Sequence, residues 1–365
     1  MKKGWLMKRL GEVVEYVKNQ NLHKGLPYVG LEHIESNTGT FLGNLEPQEV
    51  KSSTFYFTEE NVLYGRLRPY LNKVFLPNFK GHCSTEIFPI KVKKELVREF
   101  LFYWLIREEI VKKIDATWTG ARMPRANMNQ VLEFDFAFPP LPEQKRIVAT
   151  LDQCFTAIDK AKANAEQSLK NAKELFESYL QEVFGGKGKE WEMRKLGECF
   201  KFKSGDMLSA KMMQKGKIPV YGGNGISGYH NEFNLQGENV IVGRVGALCG
   251  NVRFIDEKIW LTDNAFLITD YKFVFDKPFL TYLLNYKDLR NYARQAAQPV
   301  ISNSSLNDVL ISFPKSLKEQ QAIVRQLDAL RAETQKLEAV YQKKLADLEE
   351  MKKSILQKAF AGELK

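Results

Sequence analysis

The chain has 365 residues, of which 44% are hydrophobic and 12% aromatic, and it carries a formal net charge of +10. This composition excludes a disordered chain, and the length accommodates several domains with separate cores. No apolar run reaches the roughly 18 residues of a membrane-spanning helix, and the N-terminal residues lack the apolar stretch of a signal peptide. We therefore expect no membrane segment.

The cysteines and the basic residues are both scattered along the chain. Cys83, Cys154, Cys199 and Cys249 form no C-x-x-C pair, which predicts free thiols and a cytoplasmic location. The basic excess forms no Lys/Arg tail. Such a distribution is typical of a folded nucleic-acid-binding protein and equally of an ordinary basic soluble protein.

Residues 1–140 form a first block of mixed secondary structure. Short β-type runs occur at 54–57 (TFYF) and 86–90 (EIFPI), separated by Gly, Asn and Pro, and these runs predict strands. The segment 96–114 predicts one helix inside the block.

A long helix is predicted for residues 143–184. Apolar residues recur there at alternating steps of four and three, which is a heptad seam with one interruption at Lys162. Prolines precede the seam, and Gly185 and Gly186 follow it, in the positions where helices begin and end. At 1.5 Å per residue such a helix is roughly 63 Å long, whereas a small domain is about 30 Å across.

The same features return later in the chain. Residues 191–198 (WEMRKLGE) repeat residues 5–12 (WLMKRLGE). Residues 319–360 repeat the long helix at one constant separation, so that Glu143 and Gln144 recur as Glu319 and Gln320. A repeated unit predicts a repeated surface and therefore a target with two parts.

The two blocks resemble each other more loosely than the two helices do. The second block, 191–314, contains predicted strands at 240–242 and 265–268. Shared anchors pair residues 26–30 with 218–222, residues 60–66 (ENVLYGR) with 238–244 (ENVIVGR), and Thr85-Glu86 with Thr262-Asp263. The sequences between these anchors differ, which indicates a common scaffold with different loops.

We predict an α+β fold with a pseudo-two-fold internal repeat. Two mixed blocks alternate with two long helices, over residues 1–140, 141–190, 191–314 and 315–365. Each helix exceeds its neighbouring block in length, so we expect the two helices to pack side by side.

Catalytic motifs are not found in the sequence. Residues 223–228 match G-x-G-x-x-G, but no helix is predicted to open there, so we interpret the segment as a flexible turn rather than a nucleotide site. Phosphate-loop, adenine-methylase and metal-ligand spacings are absent. Asp135, Glu143 and Lys145 resemble a nuclease triad, yet the second copy lacks the lysine. We therefore predict a non-catalytic chain without a bound metal.

Cationic and polar loop residues remain as candidate DNA contacts. Arginine suits guanine O6 and N7, glutamine suits adenine, and lysine suits phosphate. The alternative for each residue is a solvated surface charge. The candidates are Arg66, Arg68, Lys73, Arg122 and Arg125 in the first block and Lys211, Lys215, Arg244, Arg294 and Gln298 in the second.

The whole chain resembles the specificity subunit of type I restriction–modification systems. The segments 139–148 (PPLPEQKRIV) and 317–324 (LKEQQAIV) resemble the starts of that family's two spacer helices. Residues 191–205 and 218–222 (IPVYG) resemble its second recognition domain, and residues 83–86 (CSTE) resemble its first. The second helix start departs from the usual double-proline form.

The resemblance implies two target recognition domains, each of which reads half of an asymmetric bipartite DNA site. It also implies antiparallel coiled-coil helices that set the gap between the half-sites and dock two modification subunits for adenine N6 methylation. Restriction subunits join them for DNA cleavage. The helix residues assigned to this frame and to docking are Val148, Leu151, Phe155, Ile158, Leu169, Phe176, Leu327, Leu330, Leu337, Tyr341, Leu348 and Ile355.

The resemblance assigns no cofactor to the chain itself. S-adenosylmethionine, ATP and Mg²⁺ are expected on the partner subunits, and the partners are double-stranded DNA and the modification and restriction subunits, with no membrane. The alternative is a coiled-coil scaffold with two protein-binding domains and no role on DNA. Neither the half-site sequences nor the gap length follow from the sequence, because base readout depends on loop shape and DNA deformability.

Overall fold

The computed structural model describes residues 4–17, 20–120, 122–186, 191–294 and 299–364. The chain divides into two units, one of Met1–Glu166 with Lys343–Lys365 and one of Gln167–Gln342. Two long helices, α5 (Leu141–Gly185) and α9 (Leu317–Ala361), each have 45 residues and contribute one part to each unit. The two predicted long helices are therefore confirmed.

In its described residues, the first unit combines three antiparallel or mixed sheets with short helices. Its strands are β1 (Leu6–Arg9), β2 (Val14–Tyr16), β3 (Gln20–Asn21), β4 (Tyr28–Val29), β5 (Thr54–Phe57), β6 (Asn61–Gly65), β7 (Val74–Phe75), β8 (Gly81–Cys83), β9 (Ile87–Val92) and β10 (Asp135–Phe138). Its short helices are α1 (Leu10–Val13), α2 (Arg98–Leu105), α3 (Glu108–Asp115) and α4 (Met128–Leu132). The sheets have the strand orders β1-β10, β2-β9-β6-β7 and β3-β5-β8-β4.

The second unit repeats much of this arrangement. Its strands are β11 (Glu192–Lys195), β12 (Lys201–Ser204), β13 (Ile218–Gly222), β14 (Gly225–His230), β15 (Asn239–Gly243), β16 (Val252–Ile255), β17 (Trp260–Leu261), β18 (Ala265–Thr269) and β19 (Leu310–Phe313). Its short helices are α6 (Leu196–Cys199), α7 (Lys277–Tyr286) and α8 (Asn303–Asn307). The sheet order β12-β18-β15-β16 matches β2-β9-β6-β7 of the first unit.

The predicted strands are confirmed, but the single helix predicted over 96–114 is wrong. The chain forms α2 and α3 instead, because Arg107 between them has extended backbone (φ −65°, ψ 132°). The Arg107 guanidinium packs over the ring of Phe360 at 4.6 Å, a tertiary contact that a local pattern does not contain. In the second block, α7 was not predicted, although Asp276 and the proline after Lys277 are typical helix-start residues.

In the first unit the start of α5 packs on the end of α9, so the two helices are antiparallel there. Val148, Leu151, Phe155 and Ile158 are buried in the core with α2, and Leu348 and Ile355 pack against it partly exposed. Lys162, the interruption of the seam, donates to Glu349 on α9 at 2.7 Å. The interruption is therefore an ion pair between the helices, which raises the Lys162 pKa.

In the second unit the end of α5 packs near the start of α9. Leu327 is fully buried, and Phe176 packs partly exposed against the same core. Leu169, Leu330 and Tyr341 are half-buried. By contrast, Leu337 is 41% exposed, and Leu175 (49%) and Val340 (59%) are also open to solvent.

The repeated Glu-Gln pair marks a buried glutamine at the start of each long helix. The Gln144 side chain is fully buried; its Oε1 accepts from Val97 N–H at 2.8 Å, and its Nε2 donates to Glu95 O (2.9 Å) and Pro139 O (2.8 Å). Val97 is the N-cap residue of α2. Gln144 thus joins the end of β10, the start of α2 and the start of α5.

Gln320 forms the same three hydrogen bonds in the second unit. Its Oε1 accepts from Asp276 N–H at 2.7 Å, and its Nε2 donates to Val274 O (3.1 Å) and Pro314 O (2.9 Å). The second helix start lacks the double proline, and yet Gln320 keeps the function of Gln144. The glutamine, rather than the proline pair, is what the two starts share.

The other close repeat, LGE, forms a capped turn in each unit. The Glu12 carboxylate accepts from Arg9 N–H at 2.7 Å, and the Glu198 carboxylate accepts from Lys195 N–H at 3.2 Å. A Cβ atom on Gly11 would meet Leu132 at 3.3 Å, so the glycine permits close packing of α1 on α4. The motif is therefore structural.

In each unit a tyrosine of one short helix, α2 or α7, forms a hydrogen bond to a long helix, α5 or α9. Tyr103 Oη donates to Asp152 Oδ1 at 2.5 Å in the first unit, and Tyr282 Oη donates to Asp328 Oδ1 at 2.6 Å in the second. Burial and then the hydrogen bond raise the pKa of both phenols. Tyr103 is buried, whereas Tyr282 is half-exposed.

We expect Tyr103→Phe to lower the free energy of unfolding by about 1.5–3 kcal/mol, the usual contribution of a hydrogen bond to a charged group. Tyr282→Phe should cost less, because its bond lies closer to water. Thermal unfolding of the two variants checks the order. Tyr229→Phe serves as the control, because that side chain is 55% exposed; equal losses in all three would contradict the assignment.

Candidate nucleic-acid interface

Three segments of the first unit meet beside the end of β6. Arg66 N–H donates to Glu86 O at 2.9 Å, and Ala126 N–H donates to Arg66 O at 2.9 Å. Leu67 also forms a β-bridge with Arg125. The strand end, the turn before β9 and the loop before α4 therefore bring Arg66 and Arg125 together.

Glu86 holds both of these arginines. Arg66 Nε lies 3.0 Å from Glu86 Oε2, and Arg125 Nη2 lies 2.8 Å from Oε1. The Arg66 guanidinium also covers the Phe88 ring at 5.2 Å. Burial alone would raise the pKa of the Glu86 carboxyl, but the hydrogen bonds from Arg125 and Arg66 outweigh it and lower the pKa. Arg66 and Arg125 thus have an internal partner.

The second unit builds the same backbone arrangement around Arg244. Arg244 N–H donates to Asn264 O at 3.0 Å, and Ile301 N–H donates to Arg244 O at 2.9 Å. Val245 forms a β-bridge with Val300. Asn264 therefore occupies the position of Glu86, and Val300 occupies the position of Arg125.

This correspondence corrects one pairing made from the sequence. Ile87 N–H donates to Ser84 O, and Ala265 N–H donates to Thr262 O, so Ser84 matches Thr262. The pairing of Thr85-Glu86 with Thr262-Asp263 is wrong by one residue. The sequence pairing fails because Thr-Glu and Thr-Asp are similar dipeptides, whereas the backbone hydrogen bonds match Glu86 to Asn264 and not to Asp263.

Arg244 has no carboxylate partner among the described residues. Its Nη1 lies 3.4 Å from Ser204 Oγ and 3.3 Å from Asp263 O, both long contacts, and its guanidinium covers the Phe266 ring at 5.3 Å. Its Nε is buried, and within the described ranges no atom accepts its hydrogen. A buried charged donor without an acceptor is costly.

The remaining candidates of the first unit divide into an exposed and an internal group. Arg68 and Arg122 are exposed, and Arg68 N–H donates to Pro124 O at 2.7 Å, which brings their two loops together. Lys73 instead donates to Leu31 O and Ile34 O, each at 2.7 Å. The ammonium group of Lys73 is therefore bound to backbone carbonyls of its own domain.

In the second unit the candidates lie on two separate segments. Arg294 is exposed and pairs its backbone with Val300, which places it beside Arg244. Lys211 and Lys215 are exposed on a segment that contacts the end of β14, where Gln214 N–H donates to His230 Nδ1 at 3.0 Å. Gln298 lies outside the described residues.

Exposed aromatic side chains were missed by the sequence argument. Tyr70 (54% exposed) and Trp118 (51%) lie in the loops that carry Arg68 and Arg122, and Tyr292 (40%) lies beside Arg294. Aromatic faces stack on nucleic-acid bases. An aromatic residue within two to four positions of a loop arginine is the signal that was available.

The glycine-rich segment is part of a hairpin, not a nucleotide site. β13 and β14 pair with Gly222 opposite Gly225, and the chain continues as a strand where a nucleotide fold requires a helix. A Cβ atom on Gly223 would lie 1.9 Å from Val245 O. The expected turn lies at Gly223 and Asn224, where it joins β13 to β14 and packs tightly against Val245.

In the ranges that the structure covers, no cluster of three or more His, Cys, Asp or Glu could hold a metal ion. No helix in those ranges is long and apolar enough to cross a membrane. The four cysteines are free thiols, and burial raises the pKa of Cys199 to about 11.

The two units repeat one sheet order and one backbone arrangement with different polar side chains, which defines the class as a duplicated α+β protein. The family model for the type I restriction modification DNA specificity domain matches residues 2–170 and 188–347. The chain therefore belongs to this family. Specificity subunits are the non-catalytic component of type I restriction–modification systems.

The chain is similar to known specificity subunits. It is 27% identical over 180 residues to that of the type I restriction enzyme EcoDI of Escherichia coli, covering 49% of this chain and 40% of that protein. It is 31% identical over 163 residues to the EcoprrI subunit of Escherichia coli, covering 43% and 40%. The StySPI subunit of Salmonella potsdam is 26% identical over 283 residues, covering 66% and 60%. The matches thus span less than half the length of the first two relatives.

Two solved structures share the fold over the whole chain. One, from work on complex assembly and conformational transition of a type I R-M system, gives a TM-score of 0.81 at 22% identity, covering 100% of this chain and 99% of that chain. The HsdS subunit from Thermoanaerobacter tengcongensis gives 0.67 at 23% identity, covering 100% and 98%. The predicted fold class, two mixed domains alternating with two long helices, is confirmed.

Proposed function

We propose that this chain is the sequence-recognition subunit of a type I restriction–modification complex. Each recognition domain reads one half of an asymmetric, bipartite double-stranded DNA site, and α5 and α9 set the unread gap. The observation that carries the proposal is the repeat itself: equivalent backbone positions hold Glu86 and Arg125 in one domain and Asn264 and Val300 in the other. A shared scaffold with exchanged polar side chains suits two different half-sites.

The partners and cofactors follow from the same proposal. Two modification subunits dock on the helix pair and methylate adenine N6 with S-adenosylmethionine, and restriction subunits use ATP and Mg²⁺ to cleave DNA. Leu175, Leu337 and Val340, which remain exposed on the long helices, supply apolar area for such docking. The cytoplasm, where the DNA is, is the proposed location.

The decisive experiment is a map of N6-methyladenine in DNA. The full chain is expressed with its modification subunit in a host without other adenine methylation, and the DNA is sequenced by a method that detects the modified base. We expect two unequal words separated by a constant gap. An unbroken palindromic word, or no modification with an active modification subunit, would contradict the proposal.

Salt distinguishes DNA recognition from a protein scaffold. Binding that neutralises 6–10 phosphates should weaken by about 10³–10⁵ between 50 and 200 mM salt. We expect the purified complex to show this dependence in fluorescence anisotropy with a labelled duplex that contains both words. A flat response, with retained protein partners, would favour a scaffold without a role on DNA.

A further inference from the structure

Arg66 and Arg244 are the same residue of the repeat in two electrostatic settings. Each follows a buried strand and donates its N–H to the turn before the strand that pairs with it, β9 or β18. Each also accepts at its carbonyl from the loop before a short helix and covers a phenylalanine ring. Their backbones therefore present the two guanidinium groups in the same way. Any difference in what they bind must come from the side chains around them.

Those side chains differ in charge. In the first domain the Glu86 carboxylate, whose side chain is 21% exposed, joins Arg66 and Arg125 at 2.8–3.0 Å. In the second domain Asn264 is exposed and neutral, and Val300 supplies no charge. The nearest acidic neighbour along the chain, Asp263, offers Arg244 a backbone oxygen at 3.3 Å. Within the described residues Arg244 therefore forms no ion pair.

An arginine in this state needs acceptors. Its buried Nε has none in the described ranges, and its Nη1 contacts are at the long limit of a hydrogen bond. Guanine O6 and N7, or two phosphate oxygens, match the planar fork and would supply acceptors to its Nη groups, which are not satisfied by short hydrogen bonds among the described residues. A carboxylate at position 264 would both compete for the fork and repel phosphate.

We propose that Arg244 contacts the second half-site directly because position 264 is neutral. Its counterpart Arg66 does not contact DNA, because it is paired with Glu86 and this ion pair holds the loops of the first domain together. This inference rests on the proposed function and makes it specific for one residue of each domain. Among the candidate contacts of the first domain, the exposed cations are Arg68 and Arg122.

The first test compares the equivalent variants Arg244→Ala and Arg66→Ala in the full chain with its modification subunit. The probe is a labelled duplex that contains both methylated words of the wild type, at about 100 mM salt. Arg244→Ala should weaken binding roughly 5- to 150-fold, as expected for loss of a bidentate contact, and relax the second word alone. Arg66→Ala should change affinity by less than about threefold and lower the unfolding temperature instead.

The second test changes only the charge beside Arg244. Asn264→Glu should weaken binding as Arg244→Ala does. Asn264→Gln introduces a neutral side chain of the same length as glutamate and should bind like the wild type. Asn264 is exposed, so a substitution there does not disturb the core, and methylation of the first word reports a folded complex. Arg244→Lys should keep charge but lose discrimination at the second word.

The outcomes separate the two levels of the proposal. If the wild type binds DNA and Arg244→Ala binds equally well, this inference is overturned and the proposed function stands. Equal losses in Arg66→Ala and Arg244→Ala, or equal behaviour of Asn264→Glu and Asn264→Gln, also overturn it. Wild type that does not bind DNA overturns both.

Discussion

Gln144→Leu is expected to lower the stability of the first unit by about 3–6 kcal/mol. Leucine has nearly the same volume, but it leaves Val97 N–H without its acceptor and the carbonyls of Glu95 and Pro139 without their donor. A buried backbone group that loses its partner costs about 1–3 kcal/mol. Because Gln144 is fully buried, water cannot readily replace it.

Hydrogen exchange measured by mass spectrometry locates the effect. Gln144→Leu should speed exchange across residues 95–106 and leave residues 274–286 unchanged, whereas Gln320→Leu should do the reverse. Gln321→Leu is the matched control, since Gln321 is the exposed neighbour of Gln320 and should change stability by no more than about 0.5 kcal/mol. Exchange that rises equally in both segments would refute a local role.

The second large effect concerns the unread gap. We expect that seven residues inserted after Glu166 in α5, together with seven after Gln342 in α9, lengthen the gap by about three base pairs. Seven residues add about 10.5 Å of helix and keep the heptad face, and one base pair rises about 3.4 Å. Both helices need the insertion, because both continue from one unit into the other.

The methylation map reads the result. Both words should stay the same, and only their separation should increase. Seven residues inserted in α5 alone provide the control: they place its seam out of register with α9 and should reduce modification rather than shift the gap. A changed word after the paired insertion would show that the helices also take part in base reading.

The sequence predicted the long helices well because their information is local. A heptad seam over 45 residues needs no knowledge of the partner, and the Glu-Gln repeat located both helix starts. The role of Gln144 did not follow, because its three partners come from the loop before α2 and from Pro139, which follows β10. The α2–α3 break was missed for the same reason, since Arg107 meets Phe360 from the other end of the chain.

The candidate site was predicted less completely. Arg66 and Arg244 were matched correctly, but their different surroundings depend on a one-residue shift at Glu86 that letter similarity conceals. Lys73 resembles a surface cation in the sequence and yet donates to two carbonyls of a distant turn. Loop residues acquire their partners through tertiary structure. Residue type alone therefore does not distinguish the cations that are free to contact DNA from those that have an internal partner.

The division of each long helix between two units has a consequence for synthesis on the ribosome. The core of the first unit includes Leu356 and Ala359 of α9 beside Phe100 and Leu151. Those α9 residues emerge after the entire second domain, although domains generally fold in the order of synthesis. The nascent first domain therefore cannot complete its core until α9 has been synthesised, and part of its apolar surface stays exposed to solvent until then.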